Sequence, residues 1–158
     1  MMPNSPCSPL TAEAFWQFCL ERYQQPGVES ACLTLQNQYQ GNVNLLLLYI
    51  WLDQQKLTLA PQEQERLKQS LQPTQALLAQ FRSLRRQYKT HLPASLYRES
   101  LTFELQLERQ QQEYLVEALN ALPLQARSQQ HIPLSHQYCQ QLDAEGLCLF
   151  FFKNISNI

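Results

Sequence analysis

The sequence predicts an all-α fold, a single-domain bundle of about five to six helices around one buried central helix at about residues 44–55. Three observations carry this expectation. Glycine occurs 3 times in 158 residues, whereas sheets and tight hairpins consume glycine. Prolines and capping residues punctuate apolar patterns at helical spacing. The block NVNLLLLYIWL, residues 42–52, is apolar on every side of its interior, and such a helix must be surrounded by other elements. A buried strand of that length is the competing reading. Both flanks read as helical and no partner strand is evident nearby, which favours the helix.

Residues 1–10 carry prolines at 3, 6 and 9 and little to bury, so they are expected to form a flexible arm. Thr11 can cap the first helix, with Glu13 in its first turn to complement the helix dipole. Pro26 suits the first position of a second helix, in which Val28, Ala31, Cys32, Leu35 and Tyr39 repeat at helical spacing. Gly41 is expected to end it as a left-handed cap. Asn42 or Asn44 then caps the central helix. Pro61 opens a fourth segment, with Glu63 and Glu65 in its first turns. Pro73 either kinks that segment or starts another. From Thr74, Leu77, Phe81, Leu84 and Tyr88 form a stripe expected to face the core. Pro93 and Ser95 introduce the longest helix, which should run to about Ala121 with Leu101, Leu105, Leu115 and Leu119 inward and Phe103 and Leu107 extending that face. The bundle is expected over residues 11–122. Residues 123–158 read as a tail, partly ordered or mobile, and an exposed apolar cluster at 147–152 would make a dimer contact.

At this length, folding buries roughly 70% of the unfolded chain's surface, enough for a core without disulfides or a structural metal. With 44% hydrophobic and 16% charged residues the chain is globular rather than disordered. A formal net charge of −1 gives no global reason to bind nucleic acid or an anionic membrane, and no specific DNA binding is expected. Five cysteines, at 7, 19, 32, 139 and 148, have no metal-ligand spacing and read as reduced thiols. The N-terminal segment lacks the pattern of a signal peptide, and no apolar run approaches the roughly 20 residues of a membrane-spanning helix. A cytoplasmic protein is expected.

The strongest polar feature is Arg82, Arg85, Arg86 and Lys89, whose spacing puts four cations on one helical strip. Such a strip offers several donors to a phosphate, a carboxylate or an acidic partner surface. Equally, cations near a helix C-terminus complement its dipole. Four cations without a wider basic surface do not hold a long duplex. Glu104 and Glu108 lie one turn apart, and such a pair can chelate a divalent ion. It lacks the second ligand set of helical metal sites, so no metal and no cofactor are expected. The plainer readings are a solvated face or pairing with the Arg82–Lys89 strip. Asn42 and Asn44 are either caps or inward-pointing amides that must find partners to avoid a cost of roughly 1–3 kcal/mol. No Ser/His/Asp or Cys/His arrangement and no glycine-rich phosphate loop is present, so no catalytic residue is nominated.

Several segments occur together in order: PGV (26–28), ACLxLQ (31–36), GxVNLLL (41–47), WL (51–52), RxLRRxxK (82–89) and ELxxER (104–109). In combination they resemble a family of small proteobacterial proteins of unknown function, over about residues 12–120. The resemblance implies no activity. It hints at one partner class, a translation-associated ABC-type ATPase or the ribosome. It also implies that Asn42, Asn44, Arg82, Arg85, Arg86, Glu104 and Glu108 act together, either as a structural network or as the floor of an anion-binding cleft. The leading expectation is a non-enzymatic module that binds a protein partner through Arg82, Arg85, Arg86 and Lys89. The alternatives are a ligand-binding or enzymatic bundle that holds a small anion with Arg82, Arg85 and Arg86 near Glu104 and Glu108, and an RNA- or ribosome-associated factor.

Overall fold

The computed structural model describes residues 10–152, the side chains of Leu149 and Phe152 excepted. The expected arm therefore lies outside the described residues, apart from Leu10, which packs against the core and accepts a hydrogen bond from the Asn120 amide at 3.0 Å. Six helices occupy the predicted bundle: α1 (Ala12–Tyr23), α2 (Val28–Gln38), α3 (Val43–Gln54), α4 (Pro61–Ser70), α5 (Gln72–Tyr88) and α6 (Ala94–Asn120). Two more follow, α7 (Leu134–Gln141) and α8 (Cys148–Phe152), joined by a 3-10 turn at Glu145–Leu147. A two-residue antiparallel ladder pairs β1 (Leu57–Thr58) with β2 (Gln125–Ala126). The fold is all-α, and no helix among the described residues is long and apolar enough to cross a membrane.

The central helix is α3. Every residue from Asn44 to Ile50 is buried, as are Leu52 and Asp53, and each buried leucine contributes roughly 1.5–3 kcal/mol over an exposed one. Because α3 has no polar face, it needs cover all round. Helices α1, α2, α6 and α7 and strand β1 all contact it. The part supplied by α7 explains the tail. Leu134, Tyr138, Cys139, Ala144 and Phe151 are buried in the same core. Phe151 and the half-buried Leu147 thus take two members of the 147–152 cluster inward. Asp53, at the end of α3, accepts hydrogen bonds from Leu134 N at 2.8 Å, Ser135 N at 3.1 Å and the Ser135 hydroxyl. It therefore caps α7 from a distant part of the chain, where Pro133 provides no side-chain cap.

Local signals set most helix ends. Thr11 caps α1 by accepting from Ala14 N at 3.1 Å. Pro73 sits in the first turn of α5, so it starts a separate helix. Two expectations about turns are corrected. Helix α2 begins at Val28 after Gly27, whose φ of 83° suits glycine; Pro26 lies outside it. The left-handed residue after α2 is Gln40 (φ 58°). Gly41 serves close packing instead, since a Cβ there would stand 2.6 Å from Leu35 Cγ.

The largest correction concerns α5 and α6. Leu77, Leu84 and Tyr88 are exposed, Leu77 by 61%, and the buried residue of α5 is Leu78. In α6 burial begins only at Gln111, with Leu101, Phe103 and Leu105 exposed. The second half of α5 and the first half of α6 form an antiparallel hairpin on which these residues stay open to solvent. A stripe at helical spacing identifies an apolar face without saying what lies against it.

Candidate functional site

The hairpin's inner side, together with α1, α2 and the start of α3, encloses a cleft of about 410 Å³, within the size range of small-molecule sites. Apolar groups from α1, α2 and α6 line one part, notably Trp16, Leu20, Leu33 and Leu105. The remainder is polar. It brings together Asn42 and Asn44 with Arg82, Arg85, Arg86, Glu104 and Glu108, seven of the eight residues singled out in the sequence. Lys89 is not part of the lining. It is exposed and its ammonium lies 5.9 Å from the Tyr97 ring centroid.

The spacing of the cations decides their fates. Arg82 and Arg85, three residues apart, point at α6, where Glu104 and Glu108 are four apart. Arg82 Nη2 donates to Glu108 Oε1 at 3.0 Å, and Arg85 Nε donates to Glu104 Oε1 at 3.0 Å. Arg82 Nε also lies 4.0 Å from Glu104 Oε1, and Arg85 Nη1 donates to the Tyr97 hydroxyl at 3.2 Å. These side chains are only 12–31% exposed. Arg86 turns toward α2 and donates to Asn37 Oδ1 at 3.1 Å. Among the described residues, the ion pairs of Glu104 and Glu108 run through Oε1, which leaves each Oε2 for a further donor.

The asparagines take both roles the sequence left open. Asn42 caps α3, accepting from Leu45 N at 2.9 Å, while its own N–H donates to the Tyr138 hydroxyl at 2.8 Å. Asn44 points inward. Its amide donates to Gln111 Oε1 at 2.9 Å and the Glu108 carbonyl at 3.3 Å, and its Oδ1 accepts from Gln112 at 3.0 Å. Asn42 also donates to Gln111 Oε1 at 3.1 Å, and Gln111 donates to the Thr74 hydroxyl at 2.9 Å. The network ties α3, α5 and α6 into one cleft floor. Gln111 and Gln112 are the members that sequence reading missed: glutamine is abundant on the helix surfaces, and nothing local marks these two. One atom stands apart. Gln112 Oε1 is buried without a hydrogen-bond partner, the only such side-chain atom among the described residues.

Electrostatics limit the chemistry. Burial pushes up both cleft thiols, Cys32 to about 12 and Cys19 further, so neither presents a thiolate nucleophile at neutral pH. Burial also pushes the Tyr23 phenol up to about 12, reinforced by Cys32, Glu29 and Glu108. No group of three or more His, Cys, Asp or Glu among the described residues is placed to hold a metal ion.

Burial pushes the Glu108 carboxyl above its ordinary 4.5, outweighing the opposing pull of Arg82. The folded protein therefore binds this proton at higher pH than the unfolded chain does. Stability linked to Glu108 rises as pH falls from the raised value toward 4.5 and is lost again as pH rises through it. Urea unfolding of wild type and Glu108→Gln should show the wild type gaining relative to the variant between neutral pH and about pH 5. A constant difference, or one of opposite sign, would contradict this environment for Glu108.

Residues 14–115 match the model of a family described as protein of unknown function (DUF2390). The chain belongs to this family. The DUF2390 match takes in most of α1, all of α2 to α5 and most of α6, and so contains every residue that lines the cleft; α7 and α8 lie beyond it. No curated protein and no solved structure matches the chain.

Proposed function

We propose that this protein is a non-catalytic binding module whose cleft takes a small acid, a carboxylate or phosphate that also carries hydrogen-bond donors and an apolar part. The observation that supports this reading is the convergence of Arg82, Arg85 and Arg86 with Glu104 and Glu108 in one cleft that also contains Trp16, Leu20, Leu33 and Leu105. The guanidinium N–H groups beyond those bonded to glutamate suit an acidic group. The two Oε2 atoms suit hydroxyl or amino groups of the same molecule.

A strip of four cations docking a protein, an ATPase, the ribosome or RNA is supported less well. Only Arg86 and Lys89 of the strip are exposed, whereas the Arg82 and Arg85 side chains are 19% and 15% exposed inside the cleft, which a small acid enters more readily than a macromolecular surface. A thermal-shift screen of small carboxylates and phosphates tests the proposal. A ligand present at a hundred times its Kd adds about 2.7 kcal/mol, which raises Tm by several degrees in a protein of this size. A screen in which no small acid raises the midpoint at millimolar concentration contradicts it.

A further inference from the structure

The outer side of the α5–α6 hairpin, facing away from the cleft, has no part in this reading. Leu77, Phe81, Leu84 and Tyr88 follow one another there on α5 at spacings of four, three and four. On α6, Leu96, Phe103 and Leu107 are spaced by seven and four, which is the same helical face. Phe81 and Phe103 meet with ring centroids 5.2 Å apart, and from that point the antiparallel register brings Leu77 opposite Leu107 and Tyr88 opposite Leu96. Five of these seven side chains are exposed, Leu84 by 45% and Phe103 by 50%.

We propose that this face binds a second copy of the chain, two hairpins closing across a two-fold axis into a four-helix bundle. Two antiparallel helices with one continuous apolar seam are half of such a bundle. Three features favour a second copy over an unrelated protein. The seven seam residues carry no charge, the edge on α5 (Pro73, Gln80, Gln87) has no carboxylate, lysine or arginine, and the edge on α6 carries one exposed carboxylate, Glu99. Identical surfaces can therefore meet across an uncharged centre, with Glu99 at the rim, as an isologous contact requires. The area is sufficient: seven large apolar side chains about half exposed offer on the order of 500 Å² per copy. Two copies together reach about 1,000 Å² before any polar rim is counted, the threshold for a specific interface. The seam is also long enough, since eleven residues of helix span about 16 Å, or three turns of knobs.

Sedimentation velocity on the full chain over micromolar concentrations tests this. Wild type should sediment as a dimer. Leu84→Glu and, separately, Phe103→Glu should each raise the dimer dissociation constant about tenfold or more, with helicity by circular dichroism unchanged. Ile132→Glu, at an exposed apolar residue between β2 and α7, should leave the dimer intact. Because Phe103 packs on Phe81, Leu84→Glu is the cleaner variant. A monomeric wild type at high micromolar concentration overturns the proposal, as do Leu84→Glu and Phe103→Glu proteins that remain dimers.

Discussion

Replacing Leu48 with alanine should lower the unfolding free energy by about 3–4 kcal/mol, the upper part of the range for a buried leucine. Leu48 is fully buried on α3, and helices contact that element from several directions. A cavity there cannot be closed by shifting one neighbour without opening space beside another. Urea or thermal unfolding measures the loss directly. A cost near 1 kcal/mol would mean that α3 is a surface helix or that its surroundings collapse freely, and the buried-helix account would fail.

The second large effect is expected at Asp53. Its carboxylate holds two backbone N–H groups and one hydroxyl at the start of α7, and it is only 6% exposed. Asp53→Ala leaves all three donors unpaired in the interior. At roughly 1–3 kcal/mol for an unpaired buried group, with partial relaxation toward water, the expected loss is about 3 kcal/mol in all. Hydrogen exchange should rise first over residues 134–141, because that helix loses its cap while the caps of α1 and α3 are untouched. Uniform acceleration across the chain would indicate that α7 is not separately anchored.

These two residues show how far the sequence could be read. Leu48 belongs to a run whose burial is forced by its own composition: no side of it can face water, so the central helix needs no knowledge of its neighbours. Asp53 carries no such mark. It looks like a lone acid at a helix end, and its meaning depends on Ser135, 82 positions later. The stripe of Leu77, Phe81, Leu84 and Tyr88 fails for a related reason. Periodicity reports which residues share a face, whereas burial depends on whether another element covers that face.

The cleft shows the same division. Arg82 and Arg85 at i and i+3, and Glu104 and Glu108 at i and i+4, each align on one helix face from spacing alone, and pairing between them was one of the readings the sequence offered. Arg86, only one residue on, turns to Asn37 instead, a difference of 100° around the helix. Gln111 and Gln112 could not be singled out, because their role comes from the partners that α3 brings to them. Asn42 and Asn44 show that a cap and an inward amide can sit two residues apart and serve one network.

The central claim is that the arginines of this cleft hold the acidic group of a small ligand. Isothermal titration of the acid that most stabilises the protein, against wild type, Arg82→Gln and Arg86→Gln, tests it most directly. Arg86 makes only an exposed contact to Asn37, so its variant should keep the fold even if Arg82→Gln weakens it. A charge-assisted hydrogen bond contributes about 1.5–3 kcal/mol, so affinity should fall roughly 10- to 100-fold in each folded variant. Unchanged affinity in both variants would contradict the account.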